Sequence, residues 1–333
     1  MKATVIGSGS FGTSIAAALA QNFDEVLLWG RDAALVAAVN ERHENTTYLP
    51  GVTLPKAVRA VASLEEAVVG AQLVVSATPS HATREVIGRA VPFLPRRVPI
   101  VTVSKGIENG TLLTMTDVLE ECLPDELHPY LAVLSGPSFA RELAQRLPTV
   151  VTIASHWDKV GLRAQKAFQT DFLRTYTSSD VVGVQLGGAL KNVIAIAAGI
   201  ADGLGFGHNA RAGIITRGLA EISRIAVRLG ANPLTLSGLS GMGDLVLTCT
   251  GELSRNRRVG IELGKGRPLA EVLGEMKQVA EGVKTAQSAR DLSRKTGVEL
   301  PICDQVFAIC HEGKNPRAAV LELMTRSPKS ELM

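Results

Sequence analysis

Aromatic residues are scarce. Phe, Trp and Tyr make up 4% of the 333 residues, which leaves little for stacking nucleobases or sugars. Cysteine is scarcer still: Cys122, Cys249, Cys303 and Cys310, none in a Cys-x-x-Cys pair. That excludes a disulfide scaffold, and free thiols fit a reducing compartment. The six histidines form neither an HExxH motif nor a Cys/His cluster, so no metal site is expected. An excess of one charge is absent too. Lys plus Arg is 35 against 32 for Asp plus Glu, a formal net charge of +3, which argues against nucleic acid or an anionic membrane as the main partner. Long apolar runs are missing. The stretch from Val193 to Ala201 falls far short of the roughly 20 residues that span a bilayer. The apolar N-terminus is broken by Gly7, Ser8, Gly9, Ser10, Gly12 and Ser14, so it does not read as a signal peptide. The expectation is a cytoplasmic protein without membrane insertion.

What remains is an ordinary globular mix, 46% hydrophobic and 20% charged, long enough for two domains of about 150 residues. The first half alternates short β-rich runs with helical ones. The β-runs are Ala3–Ile6, Glu25–Trp29, Gln72–Ala77, Pro99–Val103, Leu131–Leu134, Thr149–Ile153 and Leu173–Thr177. Between them lie helical patterns such as Thr13–Gln21, Ala33–Asn40, Leu64–Val69, Ala82–Val91 and Leu112–Cys122. This alternation predicts an α/β domain with a doubly wound parallel sheet. Near Ser178 the character changes. Helical patterns follow at Val182–Leu204, Ala212–Leu229, Arg257–Gly264, Lys284–Thr296 and Ala318–Thr325, with Gly230, Gly297 and Gly313 as stops. The expected boundaries are 1–180 for the α/β domain and 181–333 for an all-helical one.

Gly7-Ser-Gly-Ser-Phe-Gly12 is a G-x-G-x-x-G that follows a β-run and opens an Ala-rich helix. Gly7 allows the tight turn, Gly9 lets the backbone approach a pyrophosphate, and Gly12 lets helix and strand pack closely. The helix N-terminus offers N–H groups to the phosphates. The second strand runs into Arg31-Asp32. A basic residue there can pair with the 2′-phosphate of NADP, and an acidic one can hold the ribose of NAD. A solvated charge pair at the strand end is the plain alternative.

Ser104-Lys105-Gly106 and Ser135-Gly136-Pro137-Ser138 follow two further strands, where ligands bind in open α/β sheets. Ser138 has the chemistry of a helix N-cap. Lys191 stands in a helix that is apolar all round, which predicts burial and a pKa pulled from about 10.4 toward neutrality. That suits a general acid or base; snorkelling or a structural ion pair would equally accommodate it. Asp244 follows a glycine turn, and Ser254-Arg255-Asn256 opens a helix as an anion site. Arg257 and Arg258 read as a solvated basic face.

Taken in order, Gly7–Gly12, Tyr48-Leu-Pro-Gly-Val52, Ser104-Lys-Gly-Ile107, Gly136-Pro-Ser-Phe-Ala140, Gly187-Gly-Ala-Leu-Lys-Asn192, Asp202-Gly-Leu-Gly-Phe-Gly207, Gly241-Met-Gly-Asp244 and Ser254-Arg-Asn-Arg257 resemble the bacterial-type NAD(P)-dependent glycerol-3-phosphate dehydrogenases over nearly the whole chain. The resemblance implies a Rossmann-like domain followed by a helical domain like the C-terminal domain of 6-phosphogluconate dehydrogenase. It implies reversible hydride transfer between NAD(P)H and dihydroxyacetone phosphate, making sn-glycerol 3-phosphate for phospholipid synthesis. Lys191 would be the proton donor or acceptor. Lys105, Gly136, Ser138, Asp244, Ser254, Arg255 and Asn256 would hold the phosphorylated triose. Ser10, Phe11, Arg31, Tyr48, Lys105, Ala140, Arg255, Val279 and Glu281 would contact NADP or NAD. His81 receives no role. The apolar helical half makes a homodimer the expected assembly.

Two other functions fit parts of the pattern. One is a reductase of 2-keto or β-hydroxy acids on the same fold, with a carboxylate as the anion. The other is a nicotinamide-binding sensor without turnover, which has no use for a buried lysine beside a second anion pocket.

Overall fold

The computed structural model describes every residue except Lys277, Lys329, Leu332 and Met333. Eight strands build one sheet: β1 (Lys2–Ile6), β2 (Glu25–Trp29), β3 (Val58–Val61), β4 (Leu73–Ser76), β5 (Ile100–Thr102), β6 (Leu131–Ser135), β7 (Thr149–Ala154) and β8 (Leu173–Ser178). Their order is β3-β2-β1-β4-β5-β6-β7-β8. The inner strands are apolar on both faces, as parallel strands sandwiched between helices must be. Val5 and Leu28 face one core, whereas Ile6, Leu27 and Trp29 face the other.

Two features depart from the sequence expectation. β3 is an additional edge strand, paired to β2 from Val26↔Val58 to Trp29↔Val61. The sheet is also not wholly parallel, because β7 runs antiparallel to β6. The reason lies in the connection. Between them stands a five-residue helix, Ala140–Ala144, which advances the chain by only about 7.5 Å. This short connection leaves the chain at the same end of the sheet, so β7 starts where β6 finished.

β8 ends at Ser178, and a 23-residue helix, Val181–Gly203, begins after it, with Asp180 Oδ1 accepting from Gly183 N at 2.8 Å. From there on only helices occur among the described residues. The Val181–Gly203 helix is long and apolar enough to cross a membrane by length and composition, yet 89% of its apolar window is buried inside the fold. It forms the axis of a third core, against the helices His208–Arg228, Asp244–Thr250, Arg255–Gly264 and Glu281–Thr296. Val133 and Ala154 of the sheet pack on Val181 and Val184, fixing the start of this central helix to β6 and β7. Lys191 is thereby carried over the C-terminal ends of the parallel strands.

Candidate active site

The glycine loop after β1 has the shape its sequence predicts. Gly7 has φ +126°, and a Cβ there would lie 2.6 Å from Ala77 O. A Cβ on Gly12 would lie 2.0 Å from Gly7 O. A Cβ on Gly9 would meet nothing within 4 Å. The first and last glycines are therefore closed by packing, while the middle one faces open space above the N-terminus of the helix Ser10–Leu19. Those residues fit a dinucleotide pyrophosphate.

Loops after β5 and β6 supply the next groups. Lys105 Nζ donates to Gly136 O at 3.1 Å and lies 5.8 Å from the Phe11 ring centroid. Gly136 has φ +143°, and a Cβ there would crowd Val151 Cα at 2.9 Å. The helical half answers from above. Lys191, 6% exposed, donates to Asp244 Oδ1 at 2.6 Å and to Thr248 Oγ1 at 2.7 Å. Lys105 donates to the other oxygen, Asp244 Oδ2, also at 2.6 Å. One buried carboxylate thus draws together two lysines from the two halves of the chain. Thr248 Oγ1 donates to Asp244 O at 2.6 Å, so its lone pairs face Lys191.

Burial holds the Lys191 ammonium well below the usual lysine range, at about 8. Asp244 opposes this shift, and Lys105 reinforces it. The result is a proton that can leave near neutral pH. Cys249, in the same cluster, is pushed up to about 12 by burial and stays a thiol. Among the described residues, no three His, Cys, Asp or Glu side chains come together to hold a metal ion.

Ser254 caps the helix Arg255–Gly264, its hydroxyl accepting from Arg257 N at 3.2 Å. Arg255 at that N-terminus is exposed and reaches Val279 O at 2.9 Å. Asn256 is buried: its Nδ2 donates to Asn192 Oδ1, and its Oδ1 accepts from Gly282 N, both at 2.9 Å. An exposed arginine and a capped helix start thus stand together, and Asn256 ties them to Asn192, the neighbour of Lys191.

Two family profiles cover the chain. The one described as NAD-dependent glycerol-3-phosphate dehydrogenase N-terminus matches residues 2–160. The one described as its C-terminus matches residues 180–321. The chain belongs to the NAD-dependent glycerol-3-phosphate dehydrogenase family. It is similar to the glycerol-3-phosphate dehydrogenase [NAD(P)+] of Myxococcus xanthus, with 73% identity over 100% of this chain and 99% of the relative. The Anaeromyxobacter dehalogenans protein of the same name is 54% identical over the full length of both. A crystal structure of glycerol-3-phosphate dehydrogenase from Coxiella burnetii superposes with TM-score 0.92 at 37% identity, covering 98% of this chain and 99% of that one.

In this glycerol-3-phosphate dehydrogenase family chain, the remaining candidates divide between the two halves. Ser10 Oγ donates to Gln278 Oε1 at 3.1 Å, and Gln278 Nε2 donates to Tyr48 O at 3.0 Å. Glu281 accepts from Ser80 Oγ at 2.6 Å and from Ser80 N at 3.3 Å. Ala140 O accepts from Ser14 Oγ at 2.7 Å, tying the glycine-loop helix to the helix Ala140–Ala144. Arg31 and Val279 are exposed. Asp32 caps the helix Ala33–Arg42, its Oδ1 accepting from Ala34 N and Leu35 N.

Two local expectations need correction. Ser138 is not a helix N-cap. Its hydroxyl donates back to Gly136 O at 2.9 Å, and Phe139 holds the cap position. Arg257 is not on a solvated face either; its guanidinium is paired with Asp202 at 2.8 Å. Thr248, Ser80 and Gln278 were not singled out from sequence. Only Thr248 carried a local signal, four residues after Asp244 and hence on the same helix face.

Proposed function

We propose that this chain is an NAD(P)-dependent sn-glycerol-3-phosphate dehydrogenase that interconverts dihydroxyacetone phosphate and sn-glycerol 3-phosphate. The reading takes residues 1–180 as the nucleotide-binding domain and 181–333 as the substrate domain. It includes a cytoplasmic location, supply of glycerol 3-phosphate for phospholipid synthesis, and a homodimer, on the apolar character of the helical half. The observation that carries it is the buried Lys191–Asp244–Lys105 cluster beside the capped, arginine-bearing start of the helix Arg255–Gly264.

When bound, the nicotinamide supplies or takes the hydride at C2 of the triose. The chain does the rest. Lys191 Nζ, held by Asp244 and Thr248, offers its third proton to the C2 oxygen as negative charge builds there. Lys105 adds a second positive charge next to it. In the oxidative direction, neutral Lys191 receives the hydroxyl proton. Arg255 and the N-terminal N–H groups of its helix grip the phosphate. Binding energy from that remote group positions C2 for transfer. On the cofactor side, Gly9 leaves room for the pyrophosphate, and Arg31 pairs with a 2′-phosphate when NADP is taken.

The test is loss of NADPH absorbance with dihydroxyacetone phosphate, beside a panel of phosphate-free keto acids. Rapid oxidation with dihydroxyacetone phosphate alone supports the reading. Turnover of a keto acid with dihydroxyacetone phosphate ignored overturns it.

A further inference from the structure

The motif Asp202-Gly-Leu-Gly-Phe-Gly207 has no part in the chemistry above. Asp202 closes the central helix, and its carboxylate is only 8% exposed. Oδ1 accepts from Arg211 Nε at 2.9 Å and Nη2 at 2.5 Å. Oδ2 lies 2.8 Å from both Nε and Nη2 of Arg257. The two guanidinium groups come from different helices, His208–Arg228 and Arg255–Gly264. A buried charge cluster of this kind is weak evidence for stability, because desolvation offsets much of the attraction. Fixing a geometry is a better-supported use.

The geometry it fixes is that of the helix Arg255–Gly264. This helix meets the central helix through glycines. A Cβ on Gly199 would lie 2.1 Å from Arg257 O, and one on Gly203 would lie 2.2 Å from Ile261 O. From the other side, a Cβ on Gly260 would lie 2.1 Å from Ile196 O, and one on Gly264 would lie 2.5 Å from Ile200 O. The contact is backbone on backbone. Beyond the glycine contacts, the side-chain tie near the N-terminus of this helix is Asn256 to Asn192. Arg257 adds a second, ionic tie one residue further on. Its N–H is held by Ser254 Oγ, its carbonyl rests on Gly199, and its guanidinium is held by Asp202. The pairing also keeps the Arg257 side chain away from the helix N-terminus, which leaves Arg255 as the arginine that reaches the anion.

We infer that Asp202 is a positioning residue for the substrate phosphate: through Arg257 it sets where Ser254, Arg255 and Asn256 stand relative to Lys191. This rests on the reading that Arg255 and its helix N-terminus grip the phosphate. Arg211 holds the same carboxylate from the helix His208–Arg228 and, among the described residues, makes no hydrogen bond to the phosphate-gripping helix, so it serves as the internal control.

The experiment compares kcat/KM with NADPH for dihydroxyacetone phosphate and for dihydroxyacetone, which lacks the phosphate. The full-length enzyme is used, with the variants Asp202→Asn, Arg257→Met, Arg257→Lys, Arg211→Met and Arg255→Ala. Displacement of the gripping turn by a fraction of an ångström lowers the phosphate advantage about tenfold or more. Asp202→Asn and Arg257→Met are expected to show that loss, and Arg257→Lys, which keeps the charge, to recover part of it. Arg211→Met is expected to keep the ratio within about twofold. A ratio unchanged in both Asp202→Asn and Arg257→Met overturns the inference. An equal fall for both substrates also overturns it, because that is what general destabilisation does. Should Asp202→Asn fail to fold, the Arg257→Met and Arg257→Lys pair decides alone. Arg255→Ala tests the underlying reading separately: if it leaves the ratio at the wild-type value, the phosphate grip is elsewhere and both fall.

Discussion

Lys191 Nζ and Asp244 Oδ1 are 2.6 Å apart inside the helical core, 53 residues apart in sequence. Burial pulls the lysine toward its neutral form, and the carboxylate pulls it back. The balance leaves a lysine that is mostly charged at pH 7 but able to release its proton. Lys105 takes the other carboxylate oxygen, so Asp244 is the element that lets two cations share one small pocket.

The pH profile follows from that balance. With Lys191 as the proposed proton donor, dihydroxyacetone phosphate reduction is expected to have a kcat/KM that falls as pH rises through about 8. Oxidation of glycerol 3-phosphate needs the neutral amine, so its kcat/KM rises through the same value. Initial rates in both directions across pH 6–10 check this; limbs of the same sign in both directions refute the assignment.

Asp244→Asn removes the charge that opposes the Lys191 shift. The limb of the reductive profile moves to lower pH, and the rate at pH 7 drops. Leaving the buried Lys191 ammonium without its carboxylate, with the half-buried Lys105 beside it, costs about 3–5 kcal/mol of stability. Urea denaturation, read beside the pH profile, separates the two effects. A limb that moves to higher pH contradicts the arrangement.

Arg31 and Asp32 stand side by side after β2, and both are exposed. The Asp32 carboxylate is engaged with Ala34 N and Leu35 N. Charge-assisted bonds to a phosphate contribute about 1.5–3 kcal/mol. Arg31→Gln is therefore expected to weaken NADPH binding by about 10- to 100-fold, with NADH changed about twofold or less. Fluorescence titration of both cofactors measures it. An equal loss for the two would remove Arg31 from the 2′-phosphate.

Glu221 is buried on the helix His208–Arg228. It accepts from Ile302 N at 2.7 Å and Cys303 N at 3.2 Å, at the start of the helix Pro301–His311. Burial raises its pKa from 4.5 to about 7, against those two hydrogen bonds. The folded state therefore keeps its proton where the unfolded state has lost it. Its contribution to stability declines as pH rises from about 4.5 to 7. At 1.36 kcal/mol per unit, that amounts to about 3 kcal/mol. Glu221→Gln removes the dependence, so its loss of stability between pH 5 and pH 8 is expected to be smaller than that of the wild type. Urea midpoints at the two values test this.

Much of the site is legible in local pattern. Gly7, Gly9 and Gly12 have roles set by spacing, and Lys191 is conspicuous as a charge in an apolar helix. What escapes is whatever depends on pairing across the chain. β3 is four residues long, with the exposed Arg59 inside it, too short to show a period. The reversal at β7 depends on how far a five-residue helix can carry the chain. Arg257 looks like one of three exposed arginines until Asp202, 55 residues earlier, is brought against it. Thr248 and Ser80 likewise acquire partners only in the folded chain.

In the proposed reaction Lys191 moves the proton at C2. The direct measurement is the single-turnover rate of NADPH oxidation by dihydroxyacetone phosphate in Lys191→Met, with the affinities for both ligands determined alongside. General acid catalysis is worth about 10²- to 10⁴-fold. A fall of that size is expected, with NADPH affinity retained. A variant that keeps most of its rate contradicts this role and returns Lys191 to a structural ion pair.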